Sequence, residues 1–183
     1  MTINRSNDAL LIIDMINPFS FHHAEQLYPF AEKAAYQIAL LKNHMKKRGR
    51  PVIYVNDHYE RWQAEFTTLV HNVIDADAIG SPLAKILMPC ADDLSVMKPK
   101  FSGFFATPLH LLLEHLKVDT LILTGIVGNM CVLFTANDAY TLEYELIIPR
   151  DAIACFSEED SDHALHHFKH LLKANISPIN TWL

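Results

Sequence analysis

Cys131 lies in the stretch Leu121-Ile-Leu-Thr-Gly125-Ile-Val-Gly-Asn-Met-Cys131-Val-Leu-Phe-Thr-Ala-Asn-Asp-Ala-Tyr140. An apolar run of strand length ends in Thr-Gly, a tight segment follows, and a helical pattern begins near the cysteine. A thiol at that junction sits at a helix N-terminus, where free N–H groups and the helix dipole favour thiolate. The same N–H groups can hold a developing oxyanion. The chemistry to expect is covalent attack on a carbonyl-like carbon.

Two more ionisable residues follow strand-like runs. Asp14 comes after Leu-Leu-Ile-Ile, and Lys98 after Leu-Ser-Val-Met. In an open α/β sheet, ligands gather at the C-terminal ends of the strands, so Asp14, Lys98 and Cys131 share one edge. Taken singly, an Asp after a strand is commonly a turn residue, a Lys is solvated, and a Cys is a small core residue. Their coincidence on one edge points to a joint role. A carboxylate can take the thiol proton and return it to a leaving group, while an ammonium offsets the carboxylate's field. Three such groups titrate as a coupled set. Lys100 stands two residues from Lys98, and spacing alone does not choose between them.

The elements that must position these residues alternate along the chain. Strands are expected over Ala9–Ile13, Pro51–Val55, Asp93–Met97, Thr120–Thr124, Tyr144–Ile148 and Ile176–Ile179. Several are apolar almost throughout, as parallel strands covered on both faces are. Helices are expected over Tyr28–Arg48, Trp62–Ile74, Pro108–Leu116, Asn129–Tyr140 and Glu158–Lys173, with a short helical turn near Ala84–Leu87. Gly49 suits the end of the first, and Ser157 before Glu158, Glu159 and Asp160 suits the start of the last. Regular β–α alternation argues for a parallel sheet with helices on both faces.

The bulk properties agree. A chain of 183 residues, half hydrophobic and a fifth charged, suits a single domain spanning 1–183. A formal charge of −6 offers no basic field, so nucleic acid is not the expected partner. No apolar run is long enough to cross a bilayer, and no secretion signal is recognisable. Cys90, Cys131 and Cys155 are odd in number and widely spaced, which fits a reduced, cytoplasmic setting.

Three segments in order, covering nearly the whole chain, resemble the isochorismatase-like cysteine hydrolases. Leu-Leu-Ile-Ile-Asp14-Met-Ile-Asn-Pro-Phe19 is similar to the first motif. Lys98-Pro-Lys-Phe-Ser-Gly-Phe104, followed by Thr107-Pro-Leu109, is similar to the lysine motif. Thr124-Gly-Ile-Val-Gly-Asn-Met-Cys131-Val is similar to the nucleophile motif, and Asn137-Asp-Ala and Pro149-Arg-Asp-Ala152 to its sequel. The resemblance implies a three-layer α/β/α sandwich with a six-stranded parallel sheet. It implies Asp14 as base, Lys98 rather than Lys100 as cation, and Cys131 as nucleophile. It also implies a cis peptide at Ile126–Val127, aiming the Val127 and Cys131 N–H groups at the oxyanion, and a homo-oligomer, dimer or tetramer.

One departure narrows the expected chemistry. Nicotinamidases in the superfamily bind a metal through an Asp-x-His pair after the second strand, and the matching stretch here is Asn-Asp57-His-Tyr59. Tyr59 stands where the His belongs, so no metal or other cofactor is expected, and Asp57 becomes a candidate for binding substrate or holding Lys98. Phe19, Trp62 and Phe104 are pocket candidates and equally ordinary core or subunit contacts. His163/His167 and His166/His170 are four apart, but no acidic or Cys ligand accompanies them, so a solvated helix face is favoured. The leading expectation is a metal-independent hydrolase of a small-molecule amide-type C–N bond. The alternatives are vinyl-ether hydrolysis with Asp14 as proton donor, and a non-catalytic ligand-binding protein on the same fold.

Overall fold

A computed structural model of the chain describes residues 7–58, 65–76 and 78–181. Six strands form one parallel sheet: β1 (Asp8–Ile13), β2 (Val52–Asp57), β3 (Leu94–Lys98), β4 (Thr120–Ile126), β5 (Glu145–Ile147) and β6 (Ile153–Ala154). Five of them run in the order β3-β2-β1-β4-β5, and β6 pairs with the far end of β4. The helices are α1 (Ala24–Lys47), α2 (Phe66–Asp75), α3 (Ser81–Ile86), α4 (Leu109–His115), α5 (Leu133–Thr141) and α6 (Glu158–His170).

The strand side chains sort the helices into two layers. Every residue of β1 is buried. Leu10 and Ile12 pack with α1, α2 and α3, whereas Ala9, Leu11 and Ile13 pack with α4, α5 and α6. This is the alternation of a pleated strand covered on both sides. On α1, Leu27, Ala31, Ala34, Ile38, Leu41 and Met45 are buried at three- and four-residue spacing, which makes one continuous core-facing stripe. The result is the three-layer α/β/α architecture expected from the sequence.

The expected strand over Ile176–Ile179 is absent. Asn175 makes one isolated parallel bridge to Ile147, and the chain then turns into a short 3-10 helix at Ile179–Thr181. Two local features explain this. Pro178 has no N–H for a ladder. The Asp151 carboxylate takes the Ile179 N–H at 3.1 Å. The sixth strand is instead Ile153–Ala154, too short to show as a period in sequence. Helix α1 also begins earlier than expected, because Ala24 and Leu27 already lie in the core.

The strand order places a topological switch between β1 and β4: the chain leaves β1 toward β2 and β3, then returns to its other side. At such a switch the loops diverge to opposite layers and leave a crevice at the carboxyl ends of the strands. Asp14 follows β1 and Cys131 lies just past β4, so both stand at the switch. No described helix is long and apolar enough to cross a membrane.

Candidate active site

Asp14 leaves β1 with a left-handed backbone, φ 53°. Its N–H donates to Val55 O at 3.0 Å, and its Oδ1 accepts the Asp57 N–H at 2.8 Å. The loop beyond it is pinned by Asn56, whose amide donates to Ile16 O at 2.8 Å and accepts the Ile16 N–H at 3.3 Å. The carboxylate is thus held from β2 on both sides of its own backbone.

Lys98 ends β3, with β2 between it and β1. Two strand spacings amount to about 10 Å, which calls for a long side chain to return a charge to the switch. The Lys98 side chain is fully buried. Its Nζ lies 2.8 Å from Asp14 Oδ2, 3.1 Å from Lys100 O, 3.5 Å from Cys131 Sγ and 3.9 Å from Asp57 Oδ2. Lys100 contributes its backbone carbonyl to this cluster.

Cys131 sits in a π-helical turn, Gly128–Val132, between β4 and α5. The Ile126–Val127 peptide before it is cis. Val127 O accepts the Met130 N–H at 2.9 Å and the Val132 N–H at 3.2 Å, and neither bond uses the Cys131 N–H between them. β4 approaches β1 closely at Gly125, which has φ +114° and where a Cβ would come within 2.0 Å of Ile13 O. Only glycine meets both conditions.

The electrostatics alter one expectation from the sequence. The Cys131 thiol is pushed up to about 12 by burial first and by the Asp14 carboxylate second, against the opposing pull of Lys98. The resting group is therefore a thiol and not the thiolate expected of a helix N-terminus. Burial also raises the Asp14 carboxyl above its ordinary range, although Lys98, Cys131 and the Asp57 N–H all favour its charged form. Burial works against the Lys98 ammonium, but Asp14, Cys131 and Asp57 together outweigh it and hold Lys98 in its charged form. The cluster thus consists of a held cation, a carboxyl with raised basicity and a neutral thiol within reach of both.

Phe19 is buried, its ring packed against Phe21 and Tyr28 at centroid distances of 5.6 and 5.8 Å, and it also lines a cavity with Phe21, His23 and Ile79. Phe104 packs with the α4–α6 layer and stacks on Tyr144 at 6.0 Å. Trp62 and Tyr59 lie outside the described residues. On α6, His167 meets Asn137 Oδ1 of α5 at 3.0 Å and so links two helices. Among the described residues, the one group of three side chains close enough to hold a metal is Cys90, Asp92 and Asp93. Lys46 pairs with both of those carboxylates and Lys42 with Asp93.

Sequence reasoning assigned no role to Thr135 or Asp138. Thr135 Oγ1 donates to Cys131 O at 2.7 Å and accepts the Gly103 N–H at 2.9 Å. Ser102 Oγ donates to Asp138 Oδ2 at 2.5 Å. The available signal was a threonine four residues after the cysteine, the spacing at which a hydroxyl reaches back to a helical carbonyl.

Residues 8–178 match the isochorismatase domain family. The chain belongs to the isochorismatase family of hydrolases. It is 42% identical over 175 residues to the isochorismatase family protein YaaI of Bacillus subtilis (strain 168), covering 96% of each chain. Its fold is similar to the crystal structure of an isochorismatase family protein from Desulfovibrio vulgaris, with a TM-score of 0.78, 25% identity, and 97% and 96% of the two chains covered. It is also similar to the crystal structure of N-carbamoylsarcosine amidase from Thermoplasma acidophilum, with a TM-score of 0.72, 26% identity, and 94% and 96% covered. Family membership and the three-layer fold agree with the motif reading of the sequence.

Proposed function

We propose that this isochorismatase-family hydrolase cleaves an amide-type C–N bond of a small molecule through a thioester on Cys131. The observation that carries the proposal is the position of Lys98 Nζ, in contact with both Asp14 Oδ2 and Cys131 Sγ. In the first step the sulfur attacks the carbonyl carbon and its proton passes to Asp14. The π bond becomes an oxyanion, which receives the N–H groups of Val127 and Cys131. Collapse of the oxyanion expels the amine, which takes the proton from Asp14. Water then attacks the thioester carbon while Asp14 accepts its proton. Collapse breaks the C–S bond, the acid departs, and Asp14 returns the proton to the Cys131 sulfur. Lys98 keeps its charge throughout and offsets whichever of Asp14 or sulfur is anionic.

The raised Asp14 carboxyl supports this assignment, because a base with higher basicity takes a thiol proton more readily. The same observation favours a second reading, in which protonated Asp14 donates to the carbon of a vinyl ether and the sulfur forms no bond. Asp57 Oδ2, 3.9 Å from Lys98 Nζ, helps to hold the ammonium in either case. The amidase similarity of the Thermoplasma structure supports the first reading over the second.

A panel of small primary and N-substituted amides, screened by intact-protein mass spectrometry, tests the choice. The expected result is an acyl adduct on Cys131 with a productive amide, and loss of turnover in Cys131→Ala with an unchanged circular dichroism spectrum. With a small vinyl ether added to the panel, turnover of that ether which survives Cys131→Ala but not Asp14→Asn would establish the ether reading instead.

A further inference from the structure

The Lys98–Cys131 contact joins two segments that come from different strands and different loops. Lys98 belongs to β3 and its following loop, and Cys131 to the turn before α5. Their side chains meet only if the two loops keep a set distance. The direct backbone tie between them runs through one hydroxyl.

Thr135 is fully buried on the first turn of α5. Its Oγ1 donates to the carbonyl of Cys131 at 2.7 Å. A bond of this kind to the carbonyl four residues back is common for a helical threonine. The second bond is not local: the same oxygen accepts the N–H of Gly103, 32 residues away, at 2.9 Å. Gly103 is in the loop that Lys98 begins, and the carbonyl of Lys100 in that loop is bonded to Lys98 Nζ itself. Gly103 is also close-packed, since a Cβ there would meet Val55 Cγ1 at 2.8 Å. Ser102 donates to Asp138 at 2.5 Å and accepts the Phe104 N–H at 3.1 Å, which adds a second tie between the same loop and α5.

We propose that Thr135 is a positioning residue for the hydrolytic site, its hydroxyl setting the separation of the Lys98 ammonium and the Cys131 sulfur by bonding the Gly103 N–H and the Cys131 carbonyl together. It touches neither substrate nor reacting atoms. The inference rests on the proposed thiol chemistry, and its test is separable from it. Asp14 and Lys98 are the charged groups that act on the sulfur, with Asp57 on the far side of the Lys98 contact, and none is altered by substitution at residue 135.

The experiment measures the rate of iodoacetamide alkylation at Cys131, read on its own peptide by mass spectrometry across neutral and alkaline pH, with thermal melting in parallel. In Thr135→Val, loss of the tie moves Lys98 from the sulfur, so the rate falls about tenfold and the profile shifts to higher pH. Thr135→Ser keeps the hydroxyl and restores the wild-type profile. A wild-type profile in Thr135→Val overturns the inference. So does an equal defect in Thr135→Val and Thr135→Ser, which would assign the effect to packing. If Thr135→Val does not fold, Thr135→Ala, which also lacks the hydroxyl, is measured against Thr135→Ser, and a wild-type profile in Thr135→Ala overturns the inference in the same way. The underlying function is checked by Asp14→Asn: if its Cys131 profile matches wild type, the base assignment fails whatever residue 135 does.

Discussion

Cys131 keeps its proton at neutral pH because burial and the Asp14 carboxylate both oppose ionisation more strongly than Lys98 favours it. Reactivity then depends on transferring the proton to Asp14 during attack and not on a standing thiolate. Alkylation at neutral pH is accordingly expected at exposed Cys90 before Cys131, the reverse of what a thiolate at a helix N-terminus would give. The same shift has a consequence for stability. A thiol held at about 12 in the fold against an ordinary value of 9.0 contributes stability that is complete below 9.0 and is lost as pH rises through about 12. The melting temperature of the wild type is therefore expected to fall more steeply over that window than that of Cys131→Ala. Cys155, raised to about 11 chiefly by burial, leaves part of the decline in both proteins. Parallel slopes for the two proteins would show that Cys131 ionises as readily folded as unfolded.

Among the elements, the β1–β4 pair bears most directly on the site. Ile13 pairs with Gly125 at the end of the register, one residue before Asp14 and one before the Ile126–Val127 peptide. A methyl group at Gly125 would collide with the Ile13 carbonyl and also force a left-handed backbone on alanine. Gly125→Ala is expected to cost about 3 kcal/mol or more, measured by urea unfolding. A loss below about 1 kcal/mol would mean that the two strands separate readily at the switch. The cap of α6 is a milder case: Ser157 Oγ accepts the Asp160 N–H at 3.1 Å, and Ser157→Ala is expected to lower stability by about 1 kcal/mol in the same assay. The Ser-Glu-Glu-Asp pattern announced that cap in sequence, whereas nothing in the sequence marked residues 153–154 as a strand. Two residues carry no period, and β6 exists only because β4 is present to pair with it.

For the molecule as a whole, a buried polar cluster joins segments that sequence reasoning treated as unrelated. Lys42 of α1 donates to Tyr54 Oη of β2 at 2.9 Å and to Met88 O beyond α3 at 2.7 Å, and pairs with Asp93 Oδ2 at 2.7 Å. Tyr54 Oη in turn donates to Leu87 O at 2.7 Å. Removing the ammonium alone would leave the Asp93 carboxylate, 1% exposed, with its Lys46 and Cys90 N–H contacts among the described residues. Lys42→Met is expected to cost about 3 kcal/mol in denaturant unfolding, and an unchanged midpoint would show that water replaces the lysine. The helical period of α1 did not single out Lys42, because its environment is assembled from residues about 10 to 50 positions away.

The sequence by itself determined the α/β alternation, the two-faced burial of the strands, the three ionisable residues on one sheet edge and the family to which they belong. Those features depend on local periodicity and on motifs whose residues are near one another in the chain. Only the tertiary structure decided that the cysteine rests as a thiol, that Phe19 and Phe104 pack in opposite layers, that Ile153–Ala154 and not Ile176–Ile179 is the sixth strand, and that Thr135 ties the lysine loop to the cysteine turn. Each of these depends on what lies opposite a residue across space. Desolvation, close packing and hydrogen-bond competition act between segments that the chain brings together only on folding.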